Sequence, residues 1–113
     1  MIMVTSESVT GKRIVKNLGL VYGNTIRSRH VLRSILAGLR QIIGGEINEF
    51  TKLMAEAREQ ALDRMAAEAE RLGANAVVAL RFQTSEIAGY AAELLAYGTA
   101  VVLEDADKEN AKD

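Results

Sequence analysis

The 113-residue chain has no cysteine, no proline and no tryptophan, a single histidine (His30) and only five aromatic residues, three Tyr and two Phe. Without cysteine there can be no disulfide framework, no thiol nucleophile, no iron–sulfur cluster and no Cys-ligated zinc site. No uninterrupted apolar run approaches the ~20 residues that a membrane-spanning helix requires. The opening Met1-Ile2-Met3-Val4-Thr5-Ser6-Glu7 lacks the basic segment of a signal peptide and reaches an acid at once, so a cytoplasmic location is expected.

What is present is ordinary for a folded domain. Hydrophobic residues make up 49% of the chain and charged residues 26%, too apolar for intrinsic disorder and sufficient for one domain at this length. The stretch after Glu104, Asp-Ala-Asp-Lys-Glu-Asn-Ala-Lys-Asp, is polar. It is expected to be a disordered tail over 105–113, leaving 1–104 as the single domain. The net charge of −1 hides an asymmetry: residues 1–45 carry seven bases against the lone acid Glu7, and the rest carry seven bases against fourteen acids. Such polarity suits either an anion-binding face or a contact between the basic and acidic halves of neighbouring subunits.

Hydrophobic spacing divides the chain into elements. Ile2–Val4 is short and apolar, and Ser6-Glu7-Ser8 with Thr10-Gly11 marks a turn. Lys12 to Tyr22 reads as two short strands or one bent strand with a bulge at Gly19, closed by a turn at Gly23-Asn24. Val31, Leu32, Ile35, Leu36, Leu39, Ile42 and Ile43 recur at three and four, the stripe of an amphipathic helix, with Ser28 as N-cap and Gly44-Gly45 as its end. A longer helix from Glu46–Glu49 to Leu72 has an Ala-rich seam (Ala57, Ala61, Met65, Ala69) that something can approach closely. Leu72-Gly73-Ala74 reads as a Schellman stop. Ala76–Phe82 is strand-like, followed by a loop around Gly89. Ala91–Tyr97 has helix composition whereas Thr99–Leu103 reads as strand, so propensity alone would split the segment.

If Leu94–Leu103 is extended, Leu94, Ala96, Gly98, Ala100 and Val102 lie on one face, and Leu95, Tyr97, Thr99, Val101 and Leu103 on the other. A sheet apolar on both sides needs cover on both sides. Two helices shield one face, and a chain this short has nothing left for the other. A partner subunit, most simply an identical one, is the expected cover.

Several blocks together resemble a known family. Gly44-Gly45-Glu46-Ile47, Leu72-Gly73-Ala74-Asn75-Ala76-Val77-Val78, Arg81-Phe82 with Thr84-Ser85, and Ala91 through Val102 look like the YbjQ-like family, as do Leu18-Gly19-Leu20-Val21 and Gly23-Asn24. The likeness runs from Met1 to Glu104. It implies an α+β subunit of dodecin-like type, with two consecutive helices packed on a small curved antiparallel sheet, assembled as a ring-shaped homopentamer. It also implies that Ala91–Tyr97 is strand. The family is uncharacterised, carries a heavy-metal-binding label and supplies no catalytic residues. Two positions depart from its pattern: Ser34 stands where Asp is common and Gln83 where an acid is frequent. If those acids hold metal in relatives, the site is weakened here.

Few residues are candidates for chemistry. Soft metals take thiolate, thioether or imidazole; the chain offers His30 within an arginine-rich stretch and four Met, two of them (Met54, Met65) on the helical seam where Met fills core. Metal could still gather where symmetry unites copies of His30 or Glu93. Arg27, Arg29 and His30 before the first helix form a better anion site, unless they pair with Glu46, Glu49 or a neighbour's acids. Glu93 stands among apolar residues on a strand, with Arg81 the expected partner if the carboxylate turns inward. It is either a ligand-binding acid or half of an interface salt bridge. No hydrolytic or phosphate-loop spacing occurs, and nucleic-acid binding lacks aromatics and a motif. The expectation is a non-enzymatic homo-oligomeric scaffold or binding module without a cofactor. The alternative is a binder of a metal ion or small anion at subunit interfaces.

Overall fold

A computed structural model of the chain describes residues 1–28, 46–87 and 91–106. The amphipathic segment from Val31 to Ile43, Arg29, His30, the loop at Gly89 and the end of the polar tail lie outside the described residues.

One helix and four strands are described: β1 (Ile2–Met3), β2 (Lys12–Ser28), α1 (Glu46–Arg71), β3 (Ala76–Ile87) and β4 (Ala91–Asp105). The sheet order is β1-β3-β4-β2. β3 and β4 form a hairpin, β2 pairs antiparallel along almost all of β4, and β1 adds to β3 in parallel. The sheet is therefore mixed and open, where a purely antiparallel one was expected. The parallel strand follows from the entry of the chain, which runs beside the start of β3: Ile2 N–H donates to Asn75 O (3.3 Å) and Val4 N–H to Val77 O (3.0 Å).

β2 is a single strand of 17 residues, about 56 Å at 3.3 Å per residue. Register shifts between Ile14 and Lys16 and between Asn17 and Gly19 insert extra residues opposite β4, and Gly19 takes a left-handed φ of 100°. The expected bulge at Gly19 is present. The expected turn at Gly23-Asn24 is not: both residues lie inside β2, paired with Ala96 and Leu95. Ser28, expected as an N-cap, is the last residue of β2.

The reason for Gly23 is the helix. A Cβ at this position would collide with Ala61 O and Met65 N of α1 and come within 2.9 Å of Arg64 Cβ. Alanines at every fourth residue leave the helix backbone free to lie directly on the strand. Ala57, Ala61, Met65 and Ala69 form that seam, all buried, and the last three pack with Val21, Val77, Leu80, Ala96 and Ala100 into the main core. The helix ends as its sequence predicts. Gly73 has φ +90°, its N–H donates to Glu70 O (2.9 Å), and Ala74 N–H reaches back to Ala69 O (3.0 Å), the paired bonds of a Schellman stop.

The segment whose propensity was divided is strand throughout. Leu94, Ala96, Gly98 and Ala100 of β4 are buried on the helix side. Across the bulge the strand contributes Val101 and Leu103 to a second, smaller core with Ala76 and Val78, on the outer face, covered by Val4 and Val9. Asn75 ties this end together, its side chain donating to Leu103 O (2.9 Å) and accepting from Leu103 N–H (2.7 Å).

Candidate functional site

Beyond Val4 and Val9 the outer face is bare among the described residues. Alternation along the strands places Leu20, Tyr22, Asn24 and Ile26 of β2 on it, opposite Thr99, Tyr97, Leu95 and Glu93 of β4. On the other flank of β4, Val78, Arg81, Gln83 and Ser85 of β3 stand opposite Thr99, Tyr97, Leu95 and Glu93. Leu20 is 69% exposed, Tyr22 60% and Ile26 54%. Burying such side chains is ordinarily worth 1.5–3 kcal/mol each, in round terms about 2, so leaving several beside one another is unusual.

A groove of about 390 Å³ runs over this face, lined by Leu20, Tyr22, Asn24, Gln83, Glu93, Leu95 and Tyr97. Leu95 is its floor, flanked in register by Asn24 and Gln83. Tyr22 and Tyr97 stand directly opposite one another at one end. At the other, Glu93 Oε2 accepts a hydrogen bond from Asn24 Nδ2 at 3.0 Å. A second cavity of about 550 Å³ lies between the chain entry and the helix end, beside Met1, Lys12, Glu70 and Asn75; Asn75 is occupied with the backbone of Leu103.

The expected partnership of Arg81 with Glu93 is not made. Ser85, not Arg81, stands opposite Glu93, and Arg81 Nη1 donates to Thr5 O (2.7 Å) and Leu80 O (2.8 Å). Arg81 thus fastens the entering segment, while Glu93 has no cationic partner among the described residues. Arg27 pairs in register with Ala92, one position out of phase with Glu93. Arg29 and His30 lie outside the described residues, so an Arg27–Arg29–His30 cluster is not assembled by them. Among the described residues, no three His, Asp or Glu side chains gather as metal ligands.

The pKa shifts lie away from the groove. Hydrogen bonding and charge from Arg71 hold Glu68 below the usual carboxylate range, and Lys12 does the same for Asp105. Both pairs are solvent-exposed.

Tyr22 and Asn24 were not proposed as site residues from sequence, and Gln83 stood out only as a departure from the family pattern. Reading Gly23-Asn24 as a turn broke the alternation that would have aligned Leu20, Tyr22, Asn24 and Ile26. An unbroken period of two from Leu20 to Ile26 was the available signal.

Among the described residues, a long β-hairpin and a flanking strand, backed by α1 and exposing an apolar face that carries Glu93, define a small α+β subunit. The chain belongs to the YbjQ family, whose sequence profile, described as "Putative heavy-metal-binding", matches residues 1–104. It is 55% identical over 104 residues to a UPF0145 protein of Dehalococcoides mccartyi, covering 92% of this chain and all of that one. A UPF0145 protein of Archaeoglobus fulgidus is 54% identical over 102 residues, covering 90% of this chain and 94% of its own. The family thus spans bacteria and archaea, and these names state no enzymatic activity. A crystal structure of a protein of unknown function of the DUF74 family from Pediococcus pentosaceus shares the fold, with a TM-score of 0.60 at 15% identity, over 92% of this chain and 98% of that one. No helix among the described residues is long and apolar enough to cross a membrane.

Proposed function

We propose that the protein is a cytoplasmic, non-enzymatic binding or scaffold module that works as a closed homo-oligomer, its dodecin-like subunits arranged in a ring, a pentamer as the family likeness implies. The observation that carries this reading is the bare outer face, where Leu20, Tyr22 and Ile26 are each more than half exposed beside Leu95 and Tyr97. A second copy seated over this face supplies the cover that one helix, on the opposite side, cannot. The edge of β2 supports the same reading. It is an outer strand of the described sheet along its whole length, and three of its four charges, Lys12, Arg13 and Lys16, fall in the first third, with Arg27 alone near the far end.

Native mass spectrometry of untagged protein, purified without chelator, tests this. A single closed oligomer is expected, and a well-folded monomer overturns the reading. The second reading is a metal ion or small anion held between subunits by Arg27, Arg29, His30 or Glu93. It draws support from the family's description and from Glu93, a carboxylate without a cationic partner among the described residues. Reproducible extra mass on the oligomer would favour it.

A further inference from the structure

We infer that the outer-face groove is a binding site for a primary amine carrying an apolar, ring-sized body; this rests on the reading of the protein as a binding module and names what it would hold. The groove joins three features. Its floor and one end are apolar and aromatic: Leu95, Leu20 and the facing pair Tyr22 and Tyr97. Its other end carries the carboxylate of Glu93, with no basic residue among the described lining residues. Arg27 adjoins Glu93 in register but is out of phase with it, and Arg81, the base that the described strands place on the same face, is drawn off to the carbonyls of Thr5 and Leu80.

The polar atoms around Glu93 are arranged to accept. Asn24 gives one of its two Nδ2 donors to Glu93 Oε2, which leaves Asn24 Oδ1 and the second oxygen of Glu93 as acceptors, with the Gln83 amide, donor and acceptor both, on the far side of Leu95. An alkylammonium group offers three N–H donors and no acceptor, the complement of this set. Anions are repelled by it. A hard metal ion wants six or more oxygens and usually several carboxylates, and a soft one wants sulfur or imidazole; the described lining residues offer one carboxylate and neither of the others. The apolar body would lie along Leu95 towards the tyrosines, four strand residues or about 13 Å from Glu93. That is room for a phenyl ring on a two-carbon linker. The tyrosine faces add attraction for the cation or its ring. In an oligomer a neighbouring copy would roof the groove and exclude water, which strengthens the charge contact.

The test is titration of the full-length protein with 2-phenylethylammonium chloride at neutral pH, followed by calorimetry, beside 2-phenylethanol and 3-phenylpropionate as neutral and anionic counterparts of similar shape. The ammonium compound is expected to bind about tenfold or more tightly than the alcohol, the weight of a hydrogen bond to a charged group, and the carboxylate more weakly than either. Glu93→Gln is expected to remove that preference. Equal affinity for ammonium and alcohol, absence of ammonium binding, or an unchanged Glu93→Gln variant would each overturn the inference; the three-ligand comparison needs no variant to fold. Native mass spectra of the same samples separate the two claims. An oligomer that ignores the amine sinks this inference alone, and a monomer that binds it sinks only the assembly.

Discussion

The two faces of the one sheet are built from the same strands, yet they differ in residue size more than in hydrophobicity. On the helix side β2 and β4 present Val21, Gly23, Ala96 and Ala100 to the small residues of α1. On the outer side the adjacent positions are Leu20, Tyr22, Leu95 and Tyr97. Small residues let backbone meet backbone, and the face closes within the subunit. Large residues with no opposing element among the described residues leave a surface still open to cover. Side-chain volume, read in alternation, therefore separates the inward face of this sheet from the outward one where hydropathy does not.

Neighbouring residues of β2 give the strongest way to break that contrast. Gly23→Ala forces a Cβ into Ala61 O and Met65 N and should cost about 3 kcal/mol in urea unfolding, the upper range for overpacking. Tyr22→Ala, one residue away on the outer face, should cost under about 0.5 kcal/mol in the isolated subunit while weakening self-association in dilution measurements. Should both variants lose comparable stability as monomers, the faces are not distinct in the way proposed.

The outer face itself is divided, and a second pair of variants sharpens the division. Leu103 is buried under the entering segment, whereas Leu95 lines the open groove. Leu103→Ala should destabilise by about 2–3 kcal/mol, and Leu95→Ala by less than half of that unless a partner copy covers it. Thermal unfolding at two protein concentrations distinguishes the cases, since only a residue in an interface makes the effect concentration-dependent.

The smallest expected effect concerns acid. Asp105 and Glu68 have carboxyl pKa values lowered by Lys12 and Arg71. A depressed pKa contributes stability above the unfolded-state value that is lost as pH falls through the folded one. Stability should therefore decline only below about pH 4, where carboxylates protonate. Lys12→Met should make the decline slightly shallower, as read by urea midpoints between pH 5 and 2. Because both pairs sit in solvent, a steep change would contradict their exposed, screened character.

The long helix was legible because its signals are local: a four-residue seam, early acids, and Gly73 as a stop. β4 was not, because Ala91–Tyr97 favours helix intrinsically and is extended only by pairing with β2 on one side and β3 on the other. Strand preference is set by such neighbours, and here the family likeness supplied what propensity lacked. Gly23-Asn24 misled for a related reason. The glycine answers to a helix some forty residues further on, a distant contact mimicking a turn. Glu93 stood out in the sequence as an acid among apolar residues. Its partner did not, because Asn24 meets it only through a cross-strand register, and that register follows from bulges in β2 rather than from any motif.

The bulge in β3 has one further consequence. Between Val78 and Arg81 the strand carries one residue more than β4 opposite, with Ala79 at φ +54° and its neighbours close over Gly98, where a Cβ would come within 2.6 Å of Val77 Cγ1. The extra residue works as a frameshift in three dimensions. Upstream of it Val77 faces the helix; downstream Arg81, Gln83 and Ser85 are carried to the outer side and Phe82 to the inner. Excising Ala79 would restore strict alternation and leave Arg81, Gln83 and Ser85 opposite Tyr97, Leu95 and Glu93, whereas flattening the bulge with Ala79 retained would turn the far half of the strand over and bring Phe82 opposite Leu95 in place of Gln83.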